Sequence, residues 1–194
     1  HVLSSKYGVK FKFNEQVKDI HGLDAPIVST NKEDIPFDKV IICAGVKTQE
    51  FRNKFGDNFR IYPVKGYSIT IDLHDEISRN AAPYVSIKDD NSKIVSSRLG
   101  NRLRVAGTAE LAGENKEIRK ERITPLVEWV NDCFPEINTD NFITWAGLRP
   151  MTSDMVPVMR ESKRKNVFYN SGHGHLGWTM AAFAAKFVSD LIED

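Results

Sequence analysis

A glycine-rich segment near the C-terminus constrains this chain more than any other part of its sequence. Gly172, Gly174 and Gly177 fall within six residues, directly after the apolar residues 167–169. Glycine allows positive φ and a close approach of the backbone to a ligand. Around and beyond Gly177 the apolar residues recur at the three- and four-residue spacing of a helix, and they are Leu176, Met180, Phe183, Ala184, Phe187, Val188 and Leu191. The pattern predicts a buried strand, a glycine loop and a helix.

The N-terminus of the predicted helix would face the glycine loop. Its first N–H groups lack partners within the helix and carry the positive end of the helix dipole, so this end suits an anion. A plain strand-to-helix turn in any α/β protein has the same composition. The segment by itself therefore predicts a local fold and does not identify a ligand.

Length and charge exclude several classes of protein. The 194 residues are enough for one domain or for one and a half. Lys and Arg total 27 against 26 Asp and Glu, so no general positive field favours nucleic acid or a membrane surface. No signal peptide and no membrane-spanning run is predicted. Cys43 and Cys133 lack metal-ligand spacing and are predicted to be reduced core residues of a cytosolic protein.

The first part of the chain has the pattern of short strands. Apolar and polar residues alternate at 9–13, and apolar stretches follow at 17–20 and 27–28, which predicts a meander. Residues 40–45 form a continuous apolar run ending in glycine. Such a run is typical of a strand buried on both faces of a parallel sheet, although a plain core strand looks the same.

The middle of the chain changes to an antiparallel pattern. Apolar and polar residues alternate at 67–73, in parts of 94–97 and at 103–105, which predicts a sheet with one covered face. Gly100-Asn101 between two of these runs signals a hairpin turn.

A helix and a returning strand are predicted after this sheet. An apolar stripe at residues 123–134 has helical spacing, with Pro125 in its first turn and Pro135 after its end. Residues 145–149 would then return the chain to the antiparallel sheet.

Two strings of residues are specific enough to indicate a family. Ser171-Gly-His-Gly-His-Leu-Gly-Trp-Thr-Met180, preceded by Trp145-Ala-Gly-Leu-Arg-Pro-Met-Thr152, resembles the C-terminal part of FAD-dependent D-amino acid dehydrogenases. These belong to the D-amino acid oxidase and glycine oxidase superfamily. The resemblance implies an α/β plus α+β fold. The closing part of an FAD-binding Rossmann-like domain (1–50 and 163–194) would be interleaved with an antiparallel-sheet substrate domain (60–160).

The resemblance also implies that the chain is part of a longer protein. A dinucleotide-binding domain of this kind opens with a strand and a Gly-x-Gly-x-x-Gly motif that holds the pyrophosphate. We predict that this chain lacks such a motif, and it starts at His1 without an initiator Met. We therefore expect the missing N-terminal half of the same protein to lie upstream and the isolated fragment to be inactive.

FAD is the cofactor that the resemblance implies. The loop from His173 to Thr179 would line the flavin with backbone N–H groups, and the helix dipole would favour negative charge on it. Ala44-Gly45 and the backbone around Val17 would lie near the dinucleotide. The residues expected to contact the cofactor are Val17, Ala44, Gly45, Gly147, Leu148, Gly172, His173, Gly174, His175, Leu176, Gly177, Trp178 and Thr179.

Arg149 is the main candidate for substrate binding. It precedes a proline, which favours extended geometry, and its guanidinium can bind a carboxylate through two parallel hydrogen bonds. In the family that it resembles, the arginine of Gly-Leu-Arg-Pro grips the substrate carboxylate. Tyr67 is a second candidate that would either line the substrate pocket or pack in the core. Ser92 stands where the family leads us to expect an active-site tyrosine, so the shape of the pocket is open.

The spacing of His173 and His175 also permits a metal interpretation. A metal site usually needs three or four ligands with supporting partners, and the sequence shows no accompanying Cys, His or carboxylate cluster. We therefore expect no metal. Asp89-Asp-Asn91 is likewise predicted to be a turn and not a calcium loop.

The resemblance implies oxidative deamination of D-amino acids by hydride transfer from the α-carbon to the flavin, with no side-chain acid or base. Two alternatives stay open: a glycine- or sarcosine-type amine oxidase of the same superfamily, and a folded module that is not catalytic by itself. The expected partners are an amino acid substrate and a quinone or respiratory-chain electron acceptor. The expected location is the cytoplasm, including the inner face of a bacterial membrane.

Overall fold

The computed structural model describes residue 4 and residues 6–193, which form two compact units. The first unit comprises the residues up to Arg60, Pro157–Ser171 and the residues from Gly177 onward. The second unit comprises Ile61–Val156 and Gly172–Leu176. The glycine segment is therefore divided, since its first part belongs to the second unit.

The strands, in chain order, are β1 (Val17–His21), β2 (Ile27–Thr30), β3 (Asp34–Pro36), β4 (Val40–Ile42), β5 (Ile61–Asp72), β6 (Ile87–Asp89), β7 (Ile94–Leu99), β8 (Arg102–Glu110), β9 (Phe142–Thr152), β10 (Val158–Glu161) and β11 (Val167–Ser171). The α-helices are α1 (Thr48–Phe55), α2 (Glu76–Ala81), α3 (Lys120–Cys133) and α4 (Ala181–Glu193). A short 3-10 helix, Gly45–Lys47, precedes α1.

The first unit contains two small sheets. Strands β1, β2 and β3 form the antiparallel meander that the sequence predicted. Strands β10, β11 and β4 form the second sheet, in which β11 and β4 are parallel. A buried cluster joins them, made of Ile20, Val28, Ile42, Val158, Val167 and Tyr169.

The second unit is a five-stranded antiparallel sheet in the order β6-β7-β8-β5-β9. Helix α3 packs on one face, which we call the helix face, where Ile69, Leu103 and Val105 meet Leu126 and Val130. Alternate residues of a strand point to opposite faces of the sheet. Trp145, Gly147 and Arg149 therefore lie on the other face, which we call the arginine face.

The antiparallel fold of the second unit and the hairpin at Gly100-Asn101 are as predicted, and Gly100 has a φ of +63°. Residues 9–13 were expected to be a strand, but they form none in the structure, and Phe13 is 66% exposed. Strand β4 is parallel as expected, but Ile41 is 45% exposed, so the prediction that both faces are buried was wrong.

Three further expectations need correction. Helix α3 begins at Lys120, so Pro125 is its sixth residue and lies beyond the first turn. Helix α4 begins only at Ala181, because residues 177–180 form turns. Cys43 and Cys133 are both free and exposed, since an apolar neighbourhood in sequence does not fix the direction of a side chain.

Candidate active site

Arg149 lies within strand β9, where the pairing with β5 fixes its direction. It is opposite Val64, Gly147 is opposite Gly66, and Trp145 is opposite Ser68. Residues directly opposite each other in an antiparallel pair share a face of the sheet. The register therefore puts the Arg149 side chain on the arginine face, away from the core under α3.

Two features hold the Arg149 guanidinium in place. Its Nη1 donates a hydrogen bond of 3.0 Å to the carbonyl of Thr108, a residue with a φ of +68° beside a register shift in β8. Gly66 lies under the guanidinium, so that a methyl group at this position would overlap it. A bulge and a glycine thus provide the space and one anchor for this side chain.

The electrostatics of Arg149 suit an anionic ligand. Burial lowers the pKa of its guanidinium, which nevertheless stays charged because an arginine is not deprotonated in proteins. No acidic side chain of the described residues forms an ion pair with it. A half-buried cation with donors still available is the arrangement that binds a carboxylate in two parallel hydrogen bonds.

Tyr67 lies on the helix face, so the structure does not bring it together with Arg149. It is 1% exposed, and its hydroxyl donates a hydrogen bond to Glu110. The same carboxylate accepts from Lys65 Nζ at 3.1 Å and from Arg119 Nη1 at 3.0 Å. Tyr67, Lys65 and Arg119 together hold the pKa of Glu110 below its ordinary range. This placement favours the packing role of Tyr67 that the sequence left open.

The first part of the glycine segment is attached to the edge of β9. Gly174 N–H donates to the carbonyl of Pro150 at 2.9 Å, and His173 forms a β-bridge with Met151. Gly172 and Gly174 have φ of +79° and +56°, and a Cβ on Gly174 would be 2.6 Å from the Met151 sulfur. The segment therefore needs glycine at Gly174 for both its conformation and its close contact.

The spacing of Gly172, Gly174 and Gly177 is that of a Gly-x-Gly-x-x-Gly motif, which the sequence prediction did not recognise here. In a dinucleotide fingerprint the helix starts within the motif, so that its N-terminus faces the pyrophosphate. Here turns follow Gly177 and the helix begins at Ala181. The segment thus differs from a pyrophosphate loop despite its spacing.

The imidazole of His173 has an unused polar atom. Its Nε2 is buried and has no hydrogen-bond partner among the described residues, and burial lowers the pKa of the ring. A neutral ring with a free nitrogen can hydrogen-bond to a polar group of a ligand. His175 is exposed, and the described residues contain no group of three or more His, Cys, Asp or Glu that could hold a metal.

The remaining candidates in the glycine segment differ in exposure. Leu176 is 44% exposed and closes a turn by donating its N–H to the carbonyl of His173 at 3.0 Å. Gly177, Trp178 and Thr179 belong to the first unit, and Trp178 is 95% exposed. In β9, Gly147 lies on the arginine face, whereas Leu148 is opposite Lys65 and lies on the helix face.

The candidate residues at the start of the chain surround an apolar cavity of the first unit. Val17 and Ala44 line this cavity of about 500 Å³ together with Ile20, Val28 and Phe51. An apolar cavity of this size suits a flat ring system.

Gly45 comes directly after Ala44, which lines the cavity, and is hydrogen-bonded to strand β11. It has a φ of +57°, and its carbonyl accepts a hydrogen bond of 3.2 Å from Ser171 Oγ. Ser171 Oγ also accepts a hydrogen bond of 2.9 Å from Thr48. Gly45 and Ser171 thus connect the end of the cavity-lining segment to strand β11 within the first unit.

Three residues of the site were not identified from the sequence: Gly66, Thr108 and the indole of Trp145. Gly66 and Thr108 lie 83 and 41 positions before Arg149, and only the strand register brings them to it. The signal available was a glycine inside an alternating strand, which often marks a close approach of another group.

Comparison with known proteins gives the family. The sequence model described as "DAO: FAD dependent oxidoreductase" matches residues 3–191. "D-amino acid dehydrogenase 3" of Mesorhizobium japonicum is 44% identical over 97% of this chain and 47% of its own length. "D-amino acid dehydrogenase" of Vibrio vulnificus is 37% identical over 98% and 46%. This chain therefore spans about half the length of the curated relatives it matches.

A solved structure shows the same fold. Glycine oxidase from Geobacillus kaustophilus superimposes with a TM-score of 0.85 at 21% identity, over 98% of this chain and 51% of that chain. The family match covers nearly all of the described residues and agrees with this fold. The chain belongs to the DAO family of FAD dependent oxidoreductases.

Proposed function

We propose that the protein carrying this chain oxidatively deaminates D-amino acids with FAD as its cofactor. The observation that carries this proposal is the Arg149 guanidinium, half-buried on the arginine face and without an acidic partner among the described residues. The two relatives reported above are named as D-amino acid dehydrogenases, and their sequences are 44% and 37% identical to this chain. Residues 60–160 would then form the substrate domain, and residues 1–50 and 163–194 would be part of the FAD-binding domain.

Arg149 would bind the substrate carboxylate through two parallel hydrogen bonds. The Thr108 carbonyl and the space above Gly66 hold the guanidinium in one position. The α-carbon of an amino acid bound to it would therefore also be held in one position. Partial burial strengthens the pairing with a carboxylate. Because the guanidinium cannot lose its proton, its role is binding and orientation and not proton transfer.

The glycine segment would hold the flavin by its backbone. Bound FAD would supply the oxidising chemistry, which the amino acids of a protein lack. Gly172 and Gly174 have positive φ, which lets the backbone of the segment come close to a ligand, and the neutral His173 ring offers a hydrogen bond. Val17, Ala44 and Gly45 would contact the adenine end of the cofactor.

We also propose that electrons leave to a quinone or another respiratory-chain acceptor, at the inner face of a bacterial membrane. Every helix in the described part of the chain is too short or too polar to span a membrane. Turnover with a quinone analogue that exceeds turnover with oxygen supports this proposal. The opposite order contradicts it.

The proposed function is tested with the complete flavoprotein. Anaerobic bleaching of the flavin absorbance should occur with D-alanine and D-phenylalanine and be much slower with the L-enantiomers, glycine and sarcosine. Faster reduction by glycine or sarcosine would overturn the substrate assignment in favour of an amine oxidase of that type. Ser92, which left the shape of the pocket open, lies in an exposed turn where its N–H donates to Asp89 at 3.2 Å. It therefore gives no structural support for a changed amine pocket.

A further inference from the structure

The arginine face carries a large aromatic side chain next to Arg149. Trp145 is on the same strand and face, four residues before Arg149, and its side chain is 55% exposed. Indoles usually lose most of their exposure in folded proteins, since their area contributes strongly to packing. An exposed indole beside a carboxylate-binding group is therefore available for contact with a ligand.

Gly66 and Gly147 are opposite each other in the sheet, and their lack of side chains leaves space for the guanidinium and the indole to lie over them. A methyl group at Gly147 would overlap the Trp145 ring, as one at Gly66 would overlap the Arg149 guanidinium. Opposite positions in an antiparallel pair have Cβ atoms about 4.5–5.5 Å apart. Guanidinium and indole thus lie over neighbouring positions on the same face of the sheet.

Arg104 adds a positive charge at the indole. It is opposite Thr70 in β5 and on the arginine face, with its guanidinium carbon 5.5 Å from the centre of the Trp145 ring. Asp72 and Arg102 are opposite each other two residues further along these strands, so their charges partly cancel. The charge closest to the indole on these strands is therefore positive.

Taking the proposed function as its basis, we infer that Trp145 and Arg104 determine the side-chain specificity of the enzyme. The indole contacts the apolar or aromatic side chain of a D-amino acid whose carboxylate is bound by Arg149. Arg104 disfavours D-amino acids with a cationic side chain, because two like charges would be brought close together without a counterion. The preferred substrates are neutral D-amino acids with an apolar side chain.

The test compares substrates within each variant of the complete flavoenzyme. In Trp145→Ala, kcat/KM should fall roughly 10- to 100-fold more for D-phenylalanine than for D-alanine, in the range of hydrophobic-pocket discrimination. Trp145→Phe should retain most of the preference for D-phenylalanine over D-alanine.

Arg104→Gln should raise kcat/KM for D-lysine relative to D-alanine about two- to fivefold, the size of an exposed charge effect. Arg104→Lys should not. Ile143→Ala, also exposed on the arginine face, is the matched control and should leave both ratios unchanged.

A binding measurement separates recognition from turnover. The ligands are 3-phenylpropionate and propionate, which lack the amine and cannot be oxidised. Calorimetric titration should show that Trp145→Ala weakens the binding of 3-phenylpropionate and leaves the binding of propionate unchanged. Unchanged ratios in Trp145→Ala and in Arg104→Gln, with normal flavin content, would overturn this inference and leave the proposed function intact. A parent enzyme that reduces its flavin with no D-amino acid would overturn both. Should Trp145→Ala fail to fold, the D-lysine to D-alanine ratio in Arg104→Gln, compared with Arg104→Lys, still decides.

Discussion

At the scale of single residues, Arg149 depends on groups that are remote in sequence. Its guanidinium is held by the carbonyl of Thr108 and fits over Gly66, which has no side chain in the way. The arginine supplies the charge, while its neighbours supply the position. Loss of the charge or loss of its position should therefore impair substrate binding.

Arg149→Ala should reduce kcat/KM for D-alanine by about 30- to 3,000-fold in the complete enzyme. The reason is that losing one member of a buried, hydrogen-bonded charge pair costs roughly 2–5 kcal/mol, at about 1.4 kcal/mol per decade. Arg149→Lys should recover only part of this loss, because an ammonium cannot form the two-pronged contact. Steady-state kinetics with flavin content measured in parallel provide the check.

An amine without a carboxylate is the control for this prediction. The parent should turn it over poorly, and Arg149→Ala should change its rate little. Gly66→Ala should resemble Arg149→Ala in this comparison, since the methyl group displaces the guanidinium. Equal losses for D-alanine and the carboxylate-free amine would show that Arg149 does not bind the carboxylate.

At the scale of elements, the glycine segment is fixed by its attachment to the edge of β9. The bond from Gly174 N–H to Pro150 and the bridge between His173 and Met151 explain why the segment turns away from helical geometry here. Helix formation starts only at Ala181. The backbone of the loop, and not its side chains, is therefore the part expected to be sensitive to substitution.

Gly174→Val should weaken FAD binding in the complete enzyme by roughly 5- to 150-fold. A β-branched residue at positive φ carries strain of about 1–3 kcal/mol, and its side chain would also press on the Met151 sulfur. His175→Ala changes an exposed side chain and should alter FAD affinity no more than about twofold. Fluorescence titration of the apoprotein with FAD measures both. A larger loss in His175→Ala, with sensitivity to chelators, would instead indicate a metal site.

A buried carboxylate fastens strand β11 to the loop before it. Asp57 accepts hydrogen bonds from Ser162 Oγ at 2.5 Å, Lys163 N–H at 2.8 Å and Tyr169 Oη at 2.8 Å. Burial alone would raise its pKa, but these three bonds outweigh burial and hold the pKa of Asp57 below its ordinary value. The ionised form is therefore the one that stabilises the fold.

Asp57→Asn should lower the free energy of unfolding at pH 7 by roughly 1–3 kcal/mol, the usual cost of disturbing a buried hydrogen-bonded group. The pKa of Asp57 is lower in the folded state than in the unfolded state, where it is about 4. The stabilisation is therefore complete above the pKa of the unfolded state and is lost as the pH falls through the pKa of the folded state. Urea denaturation from pH 7 to pH 3 should show the parent and the variant converging below about pH 4. Substitution of the exposed Asp38 by Asn is the control. A constant difference across this range would contradict the ionised role of Asp57.

At the scale of the whole molecule, the chain spans about half the length of the curated relatives it matches, and we expect it to hold only part of the residues that a dinucleotide contacts. Its glycine segment is followed by turns and not by a helix, so it does not replace a pyrophosphate loop. The 194-residue chain alone should therefore bind FAD weakly or not at all, since the remaining contacts must still offset the cost of association. Absorbance of the dialysed chain tests this. A stoichiometric flavin band after dialysis would show that these residues are sufficient.

Much of this architecture could be read from local patterns. Alternation along β5 and β8 and the hairpin at Gly100 were predictable because side chains in a strand repeat every two residues and a tight turn needs particular residues. The stretch at residues 9–13 had the same alternation and forms no strand. Alternation is therefore not sufficient to specify a strand, because strand pairing also depends on residues elsewhere in the chain.

The sequence by itself determined the family strings, the charge on Arg149 and the spacing of the glycines at 172–177, because each is a property of one residue or a short segment. Only the tertiary structure decided that Tyr67 faces Glu110 under α3 while Arg149 faces the other way. It also decided that Gly66 and Thr108 complete the arginine site. The physical reason is register: a shift of one residue between β5, β8 and β9 would exchange the two faces of the sheet, and no local pattern fixes that pairing.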